Sequence, residues 1–304
     1  MDKPREVLVI GGNRYFGKRL IGRLLAAGDR VTVLNRGSSA PPPGVVHLVA
    51  DRDDETSLRS ALGSRVFDVV VDQVCYTPRQ AAVARRVFTG RTRRYVMTST
   101  VEVYEYEDSI ALVREDAVDP LKVSVDLELP WDDPEFLEGH YGEGKRQAEA
   151  VFAAPGSELP YVAVRVAHVL GGDDDFTGRL DHYASRIRDG RPIAVPFSNQ
   201  PATYIHVEEI ADFLAWTAGE EFTGPVNAAS HSLLTTVDLC EAVAAHLPEG
   251  EVVLQLVEIG EVSPFSFFRS YGMDNSRATH LGFTFADARH WLPAAVAETL
   301  GTGD

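Results

Sequence analysis

The stretch EVLVIGGNRYFG, residues 6–17, decides the fold that we expect for this chain. It begins as a short apolar run that ends in glycine, which is typical of a buried strand. Gly11 and Gly17 then stand at the first and seventh positions of a turn that can hold the phosphates of a dinucleotide. The fourth position, where such a turn normally has glycine, is Arg14. The turn can survive this residue if its φ stays negative and its side chain points outward.

Strand patterns and helix patterns alternate after this turn. The strand patterns are VTVLNRG, VVHLVADRDD, FDVVVDQVCY, RRYVMTSTVEVY and YVAVRVAHVLGG. The helix patterns between them are GKRLIGRLLAAGDR, LRSALG, QAAVARRVFTG and GEGKRQAEAVFAA. We therefore predict an α/β fold with a Rossmann-type doubly wound parallel sheet, whose ligands bind beyond the carboxyl ends of the strands.

The alternation becomes looser after Gly171, although GPVNAAS is expected to return to the main sheet. The looser part predicts a small C-terminal α/β domain that binds the substrate. Its aromatic run PFSFFRSY is either part of the core or a wall of the substrate site. The dinucleotide-binding Rossmann domain is expected to consist of residues 1–171 and about 208–229, and the substrate domain of residues 172–207 and 230–304.

Composition and charge exclude several classes of protein. The chain has 304 residues, 44% of them hydrophobic, which is enough for a sizeable core. Its net charge of −16 argues against nucleic acid or an anionic membrane as partner. Two cysteines suit a reducing compartment, and no apolar run has the length of a membrane span. Strand residues from Glu6 leave no room for a signal peptide, so we expect a cytoplasmic protein.

YGEGK, Tyr141 to Lys145, carries the strongest local signal for chemistry. A tyrosine and a lysine four residues apart at the start of a helix lie on one face of it. The lysine ammonium can lower the pKa of the phenol from about 10 towards neutrality. Such a phenol can act as an acid or a base at a carbonyl group.

Three hydroxyl residues, Thr98, Ser99 and Thr100, end the fifth predicted strand. Any of them could hold a substrate oxygen beside the tyrosine. The alternative is a run of Thr and Ser that is present only because these residues suit a strand.

The motifs GGxxxxG, VADRDD, STVEVY, YGEGK and VRVAHVLGG together resemble the extended short-chain dehydrogenase/reductases, the NAD-dependent epimerase/dehydratase family. IHVEEIA and DNSRATHLGF extend the resemblance nearly to the C-terminus. It implies a Rossmann domain with a C-terminal substrate domain, a homodimer, a small-molecule substrate and no metal. It also implies a Ser/Thr, Tyr and Lys triad.

The resemblance assigns these roles residue by residue. Thr100 would orient the substrate oxygen, Tyr141 would donate or accept the proton, and Lys145 would hold the nicotinamide ribose. Asp51 and Arg52 match the segment that lies near the adenine. The cofactor-binding residues that the motifs imply are Gly11, Asn13, Arg14, Tyr15, Phe16, Gly17, Asn35, Arg36, Asp51, Arg52, Val74, Thr98, Tyr141, Lys145, Val166 and His168, and the substrate-binding residues are Ser99, Thr100, Tyr141 and His168.

Two departures from the family pattern narrow the activity. Sugar dehydratases of the family have Thr-Asp-Glu where this chain has Thr100-Val101-Glu102, so dehydration is disfavoured. Sugar-nucleotide epimerases have an asparagine where this chain has His168, which argues against a sugar-nucleotide substrate. His168 either touches the substrate or is a hydrogen-bonded histidine at a strand end.

The second strand ends in Asn35 and Arg36, without the acid that would accept the ribose hydroxyls of NAD. In shorter members of the superfamily, an arginine at the position of Arg14 meets the 2′-phosphate of NADP. We therefore predict a preference for NADP(H), with NAD(H) as the alternative. In the competing interpretation, Arg36 is a solvated loop charge and Arg14 only shields the pyrophosphate.

The predicted function is a nicotinamide-dependent oxidoreductase that transfers hydride at a secondary alcohol or ketone of a small molecule. The first alternative is an epimerase that works through a transient ketone. The second is a catalytically inactive RNA-binding or regulatory protein, because chloroplast stem-loop-binding proteins have the similar loop GGTRFIG. The complete Thr100, Tyr141 and Lys145 set and the negative charge argue against the last alternative.

Overall fold

The structure, a computed structural model, describes residues 3–107 and 111–301, which form two compact units. The first unit consists of Met1–Glu105, Glu115–Val166 and Ala211–Val226, and the second of Tyr106–Arg114, Ala167–Ile210 and Asn227–Asp304. Residues 1–2, 108–110 and 302–304 of the predicted domains lie outside the described residues. Substrate binding by the second unit stays a prediction.

A seven-stranded parallel sheet forms the centre of the first unit. Its order, β10-β6-β5-β4-β1-β2-β3, places β1 beside both β2 and β4. This order confirms the predicted α/β fold with a Rossmann-type doubly wound sheet. The strands of the chain are β1 (Glu6–Ile10), β2 (Arg30–Asn35), β3 (Val46–Val49), β4 (Phe67–Asp72), β5 (Thr92–Thr100), β6 (Tyr161–Val166), β7 (His168–Leu170), β8 (Ile193–Pro196), β9 (Tyr204–His206), β10 (Gly224–Ala228) and β11 (Leu254–Val257).

Helices begin where the sequence supplies caps. Asp54 accepts hydrogen bonds from the first turn of α2, Thr77 caps α3 just before a proline, and Thr235 forms a capping box with Asp238. Over the described residues, no helix has both the length and the apolar character needed to cross a membrane. The helices are α1 (Tyr15–Ala26), α2 (Glu55–Leu62), α3 (Pro78–Phe88), α4 (Pro134–Gly139), α5 (Tyr141–Ala153), α6 (Arg179–Arg188), α7 (Val207–Thr217), α8 (Thr236–Ala244), α9 (Ser276–Leu281) and α10 (Ala288–Leu300).

The central strands of this sheet are buried on both faces, which explains their continuous apolar runs. The chain runs from the edge strand β3 through α2 to β4 at the other side of β1. The sheet order therefore reverses between β1 and β4. Ligands of such sheets bind at this point, beyond the carboxyl ends of the strands.

The second unit has a core of its own. Its strands form two small parallel pairs, β7 with β9 and β8 with β11. Side chains of α6, α8 and α10 pack with those of the strands, and the buried set includes Tyr183, Tyr204, Leu239 and Val296.

Candidate active site

The glycine turn after β1 has the conformation and the close contacts that a phosphate-binding turn needs. Gly11 and Gly12 both have a φ of 81°. A Cβ on Gly11 would lie 2.8 Å from Cγ1 of Val74, and a Cβ on Gly17 would lie 2.6 Å from Cα of Gly12. Side chains at these positions would therefore push α1 and the turn after β4 away from β1. The predicted glycines are needed for the turn itself.

Arg14 fits the turn without taking a glycine conformation. Its φ is −131° and its ψ is 153°, an extended conformation, and its side chain is exposed. The next residue, Tyr15, takes the positive φ of 51° and has its side chain buried. A bulky residue at positive φ is an outlier that only its surroundings can hold. The positive φ among the non-glycine residues of this turn is therefore at Tyr15 and not at Arg14.

The end of β2 is tied to the glycine turn by amide side chains. Nδ2 of Asn13 donates to the main-chain oxygen of Ser39 over 3.0 Å. Oδ1 of Asn35 accepts from N of Gly37 over 2.7 Å and lies 3.0 Å from Nε2 of His47. These bonds place the exposed Arg36 in a loop held against the turn.

Asp51 and Arg52, the second and third residues after β3, differ in the burial of their side chains. Asp51 is exposed, and its carboxylate accepts from N of Asp53 over 3.0 Å. Arg52 is buried and its guanidinium pairs with Asp72 at the end of β4. Burial acts to lower the pKa of Arg52, but the combined influence of Asp72, Cys75, Tyr95 and Asp53 outweighs it, so the net shift is upward. Nε of Arg52 is buried and has no hydrogen-bond partner among the described residues.

Asp72 also organises the turn that follows β4. Its Oδ1 accepts from N of Val74 over 3.0 Å, and its Oδ2 accepts from Oη of Tyr95 over 2.5 Å. Val74 in turn lies against Gly11, as described above. The buried carboxylate thus fixes the predicted cofactor residue Val74 beside the glycine turn.

Helix α5 begins at Tyr141, and Lys145 lies four residues later on the same face, as predicted. The two glycines between them explain how the helix comes so close to the sheet. A Cβ on Gly142 would lie 2.5 Å from the main-chain oxygen of Glu102, and a Cβ on Gly144 would lie 2.6 Å from that of Tyr76. Both glycines of YGEGK therefore allow α5 to approach the ends of β5 and β4.

Lys145 is 1% exposed, and its Nζ donates to the main-chain oxygen of Thr98 over 2.7 Å. The Nζ lies 5.8 Å from the ring centroid of Tyr141 and 4.5 Å from that of Tyr76. Burial is the largest influence on Lys145 and lowers its pKa to about 8, against the opposing effect of Cys75 and Asp72. An ammonium beside a phenol can stabilise the phenolate, which is the arrangement that acid–base chemistry at a carbonyl requires.

The three hydroxyls at the end of β5 have different surroundings. Thr98 and Thr100 share one face of the strand and Ser99 has the opposite face. Oγ1 of Thr100 accepts from N of Glu102 over 3.2 Å, at the start of a 3-10 turn. Ser99 donates to Oε1 of Glu149 over 2.5 Å. Oγ1 of Thr98 is buried, and within the described part of the chain it has no hydrogen-bond partner.

Tyr76 is the residue of this site that the sequence motifs did not indicate. It follows β4 by four residues, and its ring centroid lies 6.2 Å from that of Tyr141. The signal that was present is its position after a strand whose carboxyl end borders the switch in sheet order.

His168 belongs to the second unit, where it lies among aromatic rings. Its ring stacks on Phe267 with centroids 4.9 Å apart, and the rings of Tyr204, Phe265 and Tyr271 surround it. Burial, more than the nearby arginines, lowers the pKa of His168 to about 3, so the imidazole is neutral at pH 7. Its Nε2 has no hydrogen-bond partner among residues 3–107 and 111–301. Part of the run PFSFFRSY therefore packs on a predicted site residue.

Comparison with known proteins identifies the family of this chain. The NAD dependent epimerase/dehydratase family matches residues 7–229. Among curated proteins, the chloroplast stem-loop binding protein of 41 kDa b from Arabidopsis thaliana is 26% identical over 83% of this chain. The chain spans 66% of the length of that relative.

Solved structures of similar fold include sugar-nucleotide enzymes. WbmG of Bordetella bronchiseptica, solved with NAD and UDP, has a TM-score of 0.76 at 16% identity, over 99% of this chain and 94% of that one. The UDP-glucose 4-epimerase of Thermotoga maritima, solved with UDP-glucose, has a TM-score of 0.73 at 17% identity, over 98% and 99%. That of Thermus thermophilus, solved with NAD, has a TM-score of 0.67 at 19% identity, over 98% and 100%. From the family match, the chain belongs to the NAD dependent epimerase/dehydratase family.

Proposed function

We propose that this enzyme transfers hydride at a secondary alcohol or ketone of a small molecule, with Tyr141 as its acid or base. The observation that carries the proposal is the buried ammonium of Lys145, held by Thr98 beside the Tyr141 ring. A buried lysine with a lowered pKa next to a phenol is typical of a catalytic site. Thr100, at the end of the same strand, supports the assignment of the third residue.

The nicotinamide cofactor fits the residues at the carboxyl ends of β1 and β4. Gly11, Gly12 and Gly17 leave no side chain in the turn, and α1 begins there with no acid in its first turn. The N-terminus of this helix suits a pyrophosphate. When bound, the nicotinamide accepts or supplies the hydride.

The chain's own residues handle the proton and the substrate oxygen. In the oxidising direction, Tyr141 acts as a phenolate that the Lys145 ammonium stabilises, and it takes the hydroxyl proton to become the neutral phenol. In the reducing direction, Tyr141 returns that proton to the carbonyl oxygen. Thr100 donates a hydrogen bond to the same oxygen. Thr98 holds Lys145 in place throughout.

The test of this assignment is Tyr141→Phe. The phenol acts on the substrate oxygen in the transition state, so its loss should lower turnover by about 10²–10⁴-fold. The affinity for reduced cofactor, measured by fluorescence titration, should stay within a few fold. Lys145→Ala is the comparison variant and should reduce both quantities, because it serves ribose and phenol together. Near wild-type turnover by Tyr141→Phe would show that the phenol is not the acid or base.

For the cofactor, we propose a preference for NADP(H) over NAD(H). Arg14 and Arg36 are both exposed, and the loop that carries Arg36 is tied to the glycine turn by Asn13. Each guanidinium would add on the order of 1–3 kcal/mol to the binding of a 2′-phosphate. Arg36→Asp and Arg14→Gly should each erode the preference. Titration of the wild type with both reduced cofactors decides the matter, and tighter binding of NADH would overturn the preference.

Epimerisation through a transient ketone is the second candidate. It is favoured by the solved epimerases of similar fold, two of which are UDP-glucose 4-epimerases. His168 and its aromatic surroundings, in place of the asparagine of the family pattern, argue against a UDP-sugar as substrate. The nucleotide that copurifies separates the candidates, since a tightly held oxidised cofactor favours an epimerase and an exchangeable one favours a reductase.

The third candidate is RNA binding without catalysis, which the name of the Arabidopsis relative favours. The net charge of −16 and the buried Lys145 argue against it. Consumption of reduced cofactor with carbonyl compounds identifies an enzyme. Retention of a stem-loop RNA at physiological salt, without any turnover, would favour the third candidate.

A small-molecule substrate, a homodimer and a cytoplasmic location complete the proposal. A homodimer is checked by sedimentation equilibrium, and the location by fractionation of cells that express the chain.

A further inference from the structure

Lys145 has a second aromatic neighbour that is nearer than Tyr141. Its Nζ lies 4.5 Å from the ring centroid of Tyr76, which is well within the range of a cation–π contact. An ammonium has three N–H bonds. Thr98 accepts one of them, and the ring of Tyr76 faces the same nitrogen. The ammonium is therefore held by a carbonyl oxygen and an aromatic face.

Tyr76 is itself held in place from two sides. Its N donates to Oε1 of Gln80 over 2.6 Å, at the start of α3. Its main-chain oxygen lies so close to Gly144 that a Cβ there would be 2.6 Å away. The main chain of Tyr76 is therefore held between the turn after β4 and helix α5.

We infer that Tyr76 is a positioning residue for the proposed reaction, whose ring keeps the Lys145 ammonium charged and in place beside Tyr141. The inference rests on the proposed role of Tyr141 as acid or base. The stabilisation of the charged lysine is assigned to the aromatic ring of Tyr76 and not to its hydroxyl.

Electrostatics explain why such a ring is needed. Burial drives Lys145 towards its neutral form, and among the described residues this lysine has no carboxylate within ion-pair distance. A neutral amine could not stabilise a phenolate. A cation–π contact favours the charged form, and burial raises the pKa of Tyr76, so its ring stays neutral. The titratable and charged groups that act on Lys145 are Cys75, Asp72, Arg52 and Glu149, together with the phenols of Tyr76 and Tyr141.

The test needs no substrate. Tyrosinate formation is followed by ultraviolet absorbance as the pH is raised, in the wild type, Tyr141→Phe, Tyr76→Phe and Tyr76→Leu. The transition that Tyr141→Phe removes reports the apparent pKa of Tyr141. Tyr76→Leu should move this transition to higher pH by about 0.5 unit, because the contact that favours the ammonium is lost. Tyr76→Phe keeps the ring and should leave the transition where the wild type has it.

A second readout, the comparison of kcat with KM in the Tyr76 variants, distinguishes a positioning role of Tyr76 from a role in folding. Tyr76→Leu should lower kcat more than it raises KM, while Tyr76→Phe should recover most of kcat. If Tyr76→Leu does not fold, Tyr76→Met supplies the same comparison with a flexible side chain. An equal shift in Tyr76→Phe and Tyr76→Leu would overturn the inference, since the hydroxyl would then be responsible. An unmoved transition in Tyr76→Leu would overturn it as well.

The result also distinguishes this inference from the proposed function. If Tyr141→Phe removes no tyrosinate transition below the ordinary tyrosine pKa of about 10, the assignment of Tyr141 as acid or base fails, whatever Tyr76 does. If it removes one and Tyr76→Leu leaves that transition unmoved, the assignment of Tyr141 stands and only the role of Tyr76 is lost.

Discussion

Two sets of buried charges lie in the first unit, and they differ in how completely their hydrogen bonds are made. Arg165 and Glu149 form the complete set. All three guanidinium nitrogens of Arg165 donate, to Glu149, to Oη of Tyr104 and to two main-chain oxygens. Ser99 adds a further hydrogen bond to Glu149. A network of this kind fixes structure, because every buried polar group has its partner.

The second set surrounds Lys145 and is incomplete. Among the described residues, Lys145 has no ion pair, Oγ1 of Thr98 has no partner, and neither has Nε of Arg52. Buried polar groups without partners are rare in folded proteins and call for an explanation. We infer that the incomplete set is arranged for a ligand and the complete one for the fold. The predictions that follow test this difference.

The largest effect is expected from Arg165→Met. The substitution leaves the carboxylate of Glu149 buried without its cation, and such a change typically costs about 3–5 kcal/mol of stability. Urea unfolding measures this loss. The double variant Arg165→Met with Glu149→Leu is the control, because it removes both charges and should recover much of the stability. A loss below about 1 kcal/mol in the single variant would contradict the structural role of this pair.

These residues show what the sequence could and could not predict. The alternation of strands and helices, the glycine turn and the placement of Tyr141 and Lys145 at the start of α5 follow from local spacing, because each depends on a short stretch of chain. Arg165 and Glu149 come from different motifs, and only the packing of α5 on β6 brings them together. No local pattern reports such a long-range pair.

The same limit applies to the hydroxyls of β5 and to Tyr76. The sequence places three hydroxyls at one strand end but not the partner of each. That partner comes from α5 for Ser99, from the following 3-10 turn for Thr100 and from no described residue for Thr98. Tyr76 carries no motif of its own. Its proposed role depends on the 4.5 Å distance between its ring centroid and Nζ of Lys145, which lies far along the chain.

Lys145→Met is expected to raise stability, by less than Arg165→Met lowers it. The folded-state pKa of Lys145 is about 8, below its ordinary value of 10.5, chiefly through burial. The unfolded chain therefore binds more protons between these two values, so stability rises with pH across that window. Below pH 8 the buried ammonium of Lys145 lowers the stability of the fold by its full amount, up to about 3 kcal/mol.

Methionine removes the charge at similar length, so Lys145→Met should be more stable than the wild type at pH 7. The lost bond to Thr98 and the lost ring contact reduce the gain. Urea unfolding of both proteins at neutral pH and near pH 10 checks the sign, because the gain should shrink at the higher pH. A variant that is less stable than the wild type at pH 7 would show that Lys145 serves the fold.

The smallest expected effects compare Ser99→Ala with Thr98→Val, neighbours on β5 that belong to different sets. Ser99→Ala removes a donor to the buried Glu149 and should lower stability by about 1.5–3 kcal/mol. Thr98→Val removes a hydroxyl without a partner among the described residues and should change stability by less than about 0.5 kcal/mol, or raise it. If that hydroxyl is kept for a ligand, Thr98→Val should weaken the binding of reduced cofactor, while Ser99→Ala should not. Thermal unfolding and fluorescence titration measure both quantities. A loss of stability in Thr98→Val as large as that in Ser99→Ala would remove the distinction between the two sets, since both hydroxyls would then serve the fold.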